Sequence, residues 1–93
     1  MSKGRVHLKI HGKVQGVFFR ATAREKAEEL GLVGWVRNNP EGYVEVAAEG
    51  EREDLESFIA WCNKGPRNSR VDHVSVVWGS YSKEFKDFRI EYI

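Results

Sequence analysis

A single cysteine, Cys62, stands among the 93 residues, so neither a disulfide framework nor a thiolate metal cluster can organise this chain. Charge of one sign is missing too: 15 basic residues meet 14 acidic ones. Without a basic surplus nothing points to nucleic acid or an anionic membrane as a partner, and any anion recognition has to be local. No stretch approaches the roughly 20 apolar residues of a transmembrane helix. The opening "MSKGRVHLKI" has neither the apolar run nor the small-residue cleavage site of a signal peptide. A reducing, cytoplasmic setting is the expectation. What is present suffices for one domain, residues 1–93, with a modest core supplied by 41% apolar residues and three tryptophans.

Hydrophobic spacing divides that domain into seven elements. Arg5 to His11 alternates, with Val6, Leu8 and Ile10 on one side and His7, Lys9 and His11 on the other, as in a half-buried strand. Phe19, Ala23, Ala27 and Leu30 form a helical stripe over Phe19 to Leu30, and Gly31 supplies its C-terminal stop. Leu32 to Asn38 and Tyr43 to Glu49 are strand-like and flank "NPEG", where Pro40 and Gly42 predict a tight hairpin connection. A second helix follows in "EREDLESFIAWCNKG": acidic in its first turn, apolar at Leu55, Phe58, Ile59 and Cys62, and stopped by Gly65-Pro66. Val71 to Trp78 reads as a strand with Val74, Val76 and Trp78 on one face, and Phe88, Ile90 and Tyr92 alternate in a last strand. The order β-α-β-β-α-β-β predicts an α+β domain. Its two helices cover one face of a mostly antiparallel sheet in the split-βαβ, ferredoxin-like α/β sandwich with an added C-terminal strand.

One cation is out of place in this scheme. Arg20 falls in the first turn of the first helix, where the backbone already carries partial positive charge, just behind a loop opened by Gly12 and Gly16. A glycine-containing turn entering a helix can aim several N–H groups at one anion, and an arginine there adds a planar fork for two phosphate oxygens. Charge alone leaves a second reading open, an arginine bent away into water, because the dipole term is only about 0.3–1 kcal/mol.

The residue pattern around that cation resembles the acylphosphatase family. "GKVQGVFFR" matches a loop written G-x-V-Q-G-V-x-F-R at Gly12, Val14, Gln15, Gly16, Val17, Phe19 and Arg20, with Lys13 and Phe18 at its variable positions. "GWVRN" matches a later strand motif, G-W-V-x-N, at Gly34, Trp35, Val36 and Asn38. The resemblance spans essentially the whole chain and includes the order of elements. It implies a metal-independent hydrolase that needs no cofactor and splits the carboxyl-phosphate bond of acyl phosphates into a carboxylate and inorganic phosphate. It also implies that the backbone of Gln15, Gly16, Val17, Phe18, Phe19 and Arg20 cradles the phosphate, that Arg20 binds it, and that Asn38 holds the attacking water. Inorganic phosphate or sulfate would compete for the same cradle, and a monomer is expected.

Other residues invite functional readings that their placement weakens. His7 and His11 share a strand face but stand about 13 Å apart along it, too far to share an ion with bonds of about 2 Å. His73 could join one of them, not both. Cys62 lies on the apolar stripe of the second helix without a partner base, which suits a small buried hydrophobe. Trp35, Trp61 and Trp78 are expected in or near the core. Asn38 has an ordinary turn role open to it before Asn39-Pro40. Glu51 to Glu56 suits a dipole-matched helix start. Ferredoxin-like sheets also build RNA-recognition modules, but "YVEVAAEGE" lacks the aromatic and basic pattern those need. A third possibility is an accessory domain of the same family, of the kind fused to larger carbamoyl-transfer proteins.

Overall fold

Val6, Leu8 and Ile10 are all fully buried, and their alternation with more accessible neighbours sets the middle of the sheet. The computed structural model describes residues 2–92. Its elements are β1 (Lys3–Lys13), α1 (Phe19–Glu29), β2 (Val33–Asn38), β3 (Val44–Glu51), α2 (Arg52–Lys64), β4 (Arg70–Gly79) and β5 (Phe88–Ile90). The sheet order is β4-β1-β3-β2-β5. Every neighbouring pair is antiparallel except β2 and β5, which run parallel. The expected ferredoxin-like α+β fold is therefore present, with β5 extending the sheet beside β2.

Both helices lie on the face that carries Val6, Leu8, Ile10, Val36, Val44 and Val46. From α1 come buried Phe19, Ala23 and Ala27, and from α2 come Leu55, Phe58 and Cys62. Aromatic contacts tie the helices to each other and to the sheet: Phe19 of α1 meets Trp61 of α2 at 5.4 Å, and Phe58 of α2 meets Phe88 of β5 at 6.2 Å between ring centroids. At the end of α1 the amides of Gly31 and Leu32 donate to the carbonyls of Glu28 and Ala27, the paired bonds of a Schellman stop. Burial pushes the Cys62 thiol pKa up, so this cysteine packs as a hydrophobe, as its stripe position suggested.

The opposite face of the sheet is less open than the sequence implies. Between β4 and β5 the chain crosses over that face, and Glu49 of β3 fastens the crossing. Its fully buried carboxylate accepts bonds from the Ser82 amide at 2.8 Å, the Ser82 hydroxyl at 2.6 Å, the Lys83 amide at 3.1 Å and the Arg5 guanidinium at 3.1 Å. Burial alone would raise the Glu49 pKa, but the Ser82 and Arg5 bonds outweigh it and hold the carboxyl below the ordinary range. A depressed folded-state pKa stabilises the fold fully above the unfolded value of about 4.3, and that contribution fades as pH falls through the lowered value. Glu49→Ala should cost about 3 kcal/mol in urea unfolding at neutral pH, with the difference from wild type shrinking in acid. A variant as stable as wild type would show that the crossing is not anchored there.

Two expectations need correction. Trp35 is not a core residue. It sits on the strapped face, edge-on to His7 at 6.2 Å, with the Arg37 guanidinium 4.6 Å from its ring centroid. Its neighbour Val36 takes the core position, and alternation sends the indole the other way. The last strand is also shorter than its alternating pattern. Phe88 is buried and Ile90 packs against the core, but Tyr92 lies past the end of β5 and is 78% exposed.

Candidate active site

Gly12 begins the site. A register shift between His11 and Gly12 breaks the regular ladder of β1 with β4, which resumes at Gly12–Val71 and Lys13–Arg70, and Gly12 takes φ of 132°. A Cβ at this position would lie 2.0 Å from the Arg70 carbonyl oxygen, so only glycine lets the shifted strand stay this close to β4 as it leads into the loop. The loop then passes Gly16, at φ 75°, and reaches Phe18, the residue before α1, at φ 61°. Phe18 gives no side-chain cap to the helix, and the first turn contains no acidic residue. The N–H groups that every helix leaves unpaired at its start thus have no carboxylate or hydroxyl from the chain's own first turn.

Arg20 sits one residue inside that turn. Its guanidinium lies over the Tyr92 ring, 5.2 Å from the centroid, within range of a cation–π contact. None of the ion pairs among the described residues involves it.

Asn38 reaches the same place from the end of β2. Val36 and Asn38 share a face by alternation, so the Asn38 side chain turns toward the helices while Arg37 and Asn39 turn to the other side. There Glu45 holds both neighbours, accepting from Arg37 Nε at 3.0 Å and from Asn39 Nδ2 at 3.4 Å. His7 adds a third contact to Glu45, at 2.6 Å. Burial would raise the Glu45 pKa, yet the bonds from Arg37, His7 and Asn39 hold it low. The Asn38 amide itself is not so restrained. Its Oδ1 is the one buried side-chain polar atom among the described residues without a hydrogen-bond partner.

Gln15 couples the loop to the hairpin that follows Asn38. Its side-chain amide donates to the carbonyls of Asn39, at 2.8 Å, and Tyr43, at 3.0 Å. The same hairpin is closed by the Asn39 amide on the Tyr43 carbonyl at 2.8 Å and by Gly42 on Asn39 at 2.9 Å. The sequence marked Gln15 only for its backbone. This side-chain role was hidden because it depends on which strand lies beside the loop.

Two adjoining hollows meet at Arg20, Asn38 and Tyr92. One, of about 300 Å³, is walled by Gly16, Phe18 and Ala21 from the loop and helix start and by Ile90 from β5, with buried Val14 and Phe19 also lining it. The other, of about 270 Å³, is walled by Gln15, Asn39, Pro40 and Glu91. Arg20 and Asn38, distant in sequence, thus share both hollows with the glycine loop alongside. Val17, the remaining residue of the expected cradle, packs half-buried against the core.

The histidines do not gather there. His11 stacks on His73 at 5.9 Å between centroids, and His7 is held by Glu45 farther along the strand. Among the described residues no three His, Cys, Asp or Glu side chains are grouped to hold a metal ion. No helix among them is long and apolar enough to cross a membrane.

The acylphosphatase family profile matches residues 6–90. The chain belongs to the acylphosphatase family. It is 45% identical to an acylphosphatase from Pelotomaculum thermopropionicum, over 99% of this chain and 100% of that one. Its fold superposes with a TM-score of 0.90 on an acylphosphatase structure from Coxiella burnetii, at 40% identity over 96% of this chain and 93% of that one. It also superposes, with a TM-score of 0.88 and 34% identity, on part of full-length HypF in its phosphate- and nucleotide-bound form, covering 97% of this chain and 12% of that protein. A domain of this shape therefore occurs both as nearly the whole of a chain and as a small part of a larger one.

Proposed function

We propose that this family member hydrolyses small acyl phosphates at the junction of the two hollows, with the loop Gln15–Arg20 as phosphate cradle. The backbone amides at the start of α1 and the Arg20 fork take the phosphoryl oxygens, where two opposed groups of positive charge become favourable once an anion lies between them. The observation that carries the division of roles is the unpartnered, buried Oδ1 of Asn38. A water that donates one hydrogen bond to this oxygen keeps a lone pair free for phosphorus.

The reaction asks little else of the protein. The water oxygen bonds to phosphorus as the bond from phosphorus to the acyl oxygen breaks, and the carboxylate leaves. Asparagine is no base at neutral pH, so the water proton passes to a phosphoryl oxygen of the substrate. Phosphoryl transfer of this kind is promoted chiefly by positioning and by charge on the equatorial oxygens. A carboxylate leaves without protonation, so no general acid is required. Arg20 with the backbone N–H groups supplies the positive charge that a metal supplies elsewhere. Inorganic phosphate, having the same oxygens, competes for the cradle. The working unit is a monomer, the default for a single domain of 93 residues, and the single buried thiol suits a reducing, cytoplasmic setting.

An assay on benzoyl phosphate, before and after chelation and dialysis, tests the reading. Hydrolysis should be unchanged by chelation, and added phosphate should inhibit competitively. Activity that disappears with the chelator and returns with magnesium or zinc would refute the metal-free site.

A further inference from the structure

Phe18 is held at two costs that its own fold does not repay. The ring is 83% exposed, and the backbone sits in the left-handed region at φ 61°, which a bulky side chain adopts only under constraint. Four large hydrophobic residues are exposed among the described ones. Val76 and Val77 are neighbours along β4 that face opposite sides of the sheet, while Phe18 and Tyr92 stand on the same 300 Å³ hollow. Apart from Arg20, Asn38 and Gly16, the side chains lining that hollow are apolar, Ala21 and Ile90 among them with the two rings. Arg20 is its only charged residue, and in the function proposed above Arg20 is engaged by the phosphoryl group. The adjoining hollow differs, since it is lined by Gln15, Asn39 and the carboxylate of Glu91.

An in-line displacement places the attacking water and the leaving carboxylate on opposite sides of phosphorus. The two hollows meeting at Arg20 and Asn38 offer two such sides, and the one that carries both exposed rings suits the acyl group. We infer that Phe18 is a specificity-determining residue, its ring forming with Tyr92 an apolar seat for the acyl group, and that the preferred substrates are acyl phosphates whose acyl part is uncharged and aromatic. A second anionic group on the acyl part would have no cation left to meet in the hollow that carries the rings, and would meet Glu91 in the other. Ring-on-ring contact favours an aromatic acyl group over a small aliphatic one.

The inference rests on the acyl phosphate reading, and the test separates the two. The ratio of kcat/KM for benzoyl phosphate to that for acetyl phosphate is measured for wild type, Phe18→Asn and Phe18→Tyr. A third substrate, benzoyl phosphate carrying a para-carboxylate, changes the charge while nearly preserving shape and leaving-group strength. Asparagine tolerates the left-handed backbone, so it removes the ring without adding strain. Because the ratio is taken within each variant, changes in the shared phosphoryl cradle cancel. The ratio should fall about five- to tenfold in Phe18→Asn, equivalent to losing one aromatic contact, and stay within about twofold of wild type in Phe18→Tyr. The para-carboxylate should lower wild-type kcat/KM by about tenfold, the size of one unfavourable pairing of about 1.4 kcal/mol. An unchanged ratio in Phe18→Asn, or equal use of the para-carboxylate substrate, would overturn the inference while leaving the hydrolase reading intact. A wild-type protein that hydrolyses none of the three would overturn both.

Discussion

Replacing Arg20 by glutamine should lower kcat/KM for an acyl phosphate by at least about 10³-fold, the scale set by arginines that stabilise phosphoryl-transfer charge. The same change should weaken the binding of inorganic phosphate, because the fork touches the phosphoryl oxygens before, during and after reaction. Glutamine keeps length and polarity but loses both the charge and the paired donors. Arg20→Lys should recover little, since an ammonium is a point charge that cannot grip two oxygens or lie flat against the Tyr92 ring, whose centroid is 5.2 Å from the guanidinium. The variants should stay folded. Arg20 has no ion-pair partner among the described residues, and the buried neighbour Phe19 anchors the helix start without it. An Arg20→Gln protein that binds phosphate as wild type does would remove the arginine from the cradle.

Asn38→Ala should fail differently. Its proposed contact is with water rather than phosphate, so kcat should drop by about 10²–10³-fold, the cost of one transition-state partner, while phosphate affinity stays nearly level. The reason lies in two anchoring schemes that do not overlap. Arg37 and Asn39 are held by Glu45 on one face, and the Asn38 side chain is left free on the other. Removing its amide therefore disturbs no hydrogen bond among the described residues. Near-normal kcat in this variant would leave the water without its proposed guide.

Local periodicity made most of this fold legible. Val6-Leu8-Ile10 and Phe19-Ala23-Ala27 name their own faces because strand and helix repeats need no knowledge of the rest of the chain. Gly31 and the Pro40-Gly42 hairpin carry local geometry in the same way. Trp35 shows where the reading overreached. Alternation with Val36 already pointed its side chain away from the helices, but the general tendency of tryptophan to be buried suggested a core position. The crossing segment was invisible for another reason: Glu49, Arg5 and Ser82 meet only after two separate strands and the β4–β5 connection are assembled. The same limit applies to the site. Charge and helix polarity singled out Arg20 from its own segment, whereas Asn38 entered through the family motif. Neither that motif nor any spacing foretold the Gln15 amide bridging to the hairpin or the Tyr92 ring beside Arg20.

The cradle itself is tested most directly by titrating inorganic phosphate into isotope-labelled protein and following every backbone amide by NMR. The largest shifts should centre on Gly16 to Arg20, and the dissociation constant they give should match the competitive inhibition constant of phosphate in the acyl phosphate assay. Shifts centred elsewhere, or none at millimolar phosphate, would contradict the assignment of the loop and Arg20 as the phosphate site.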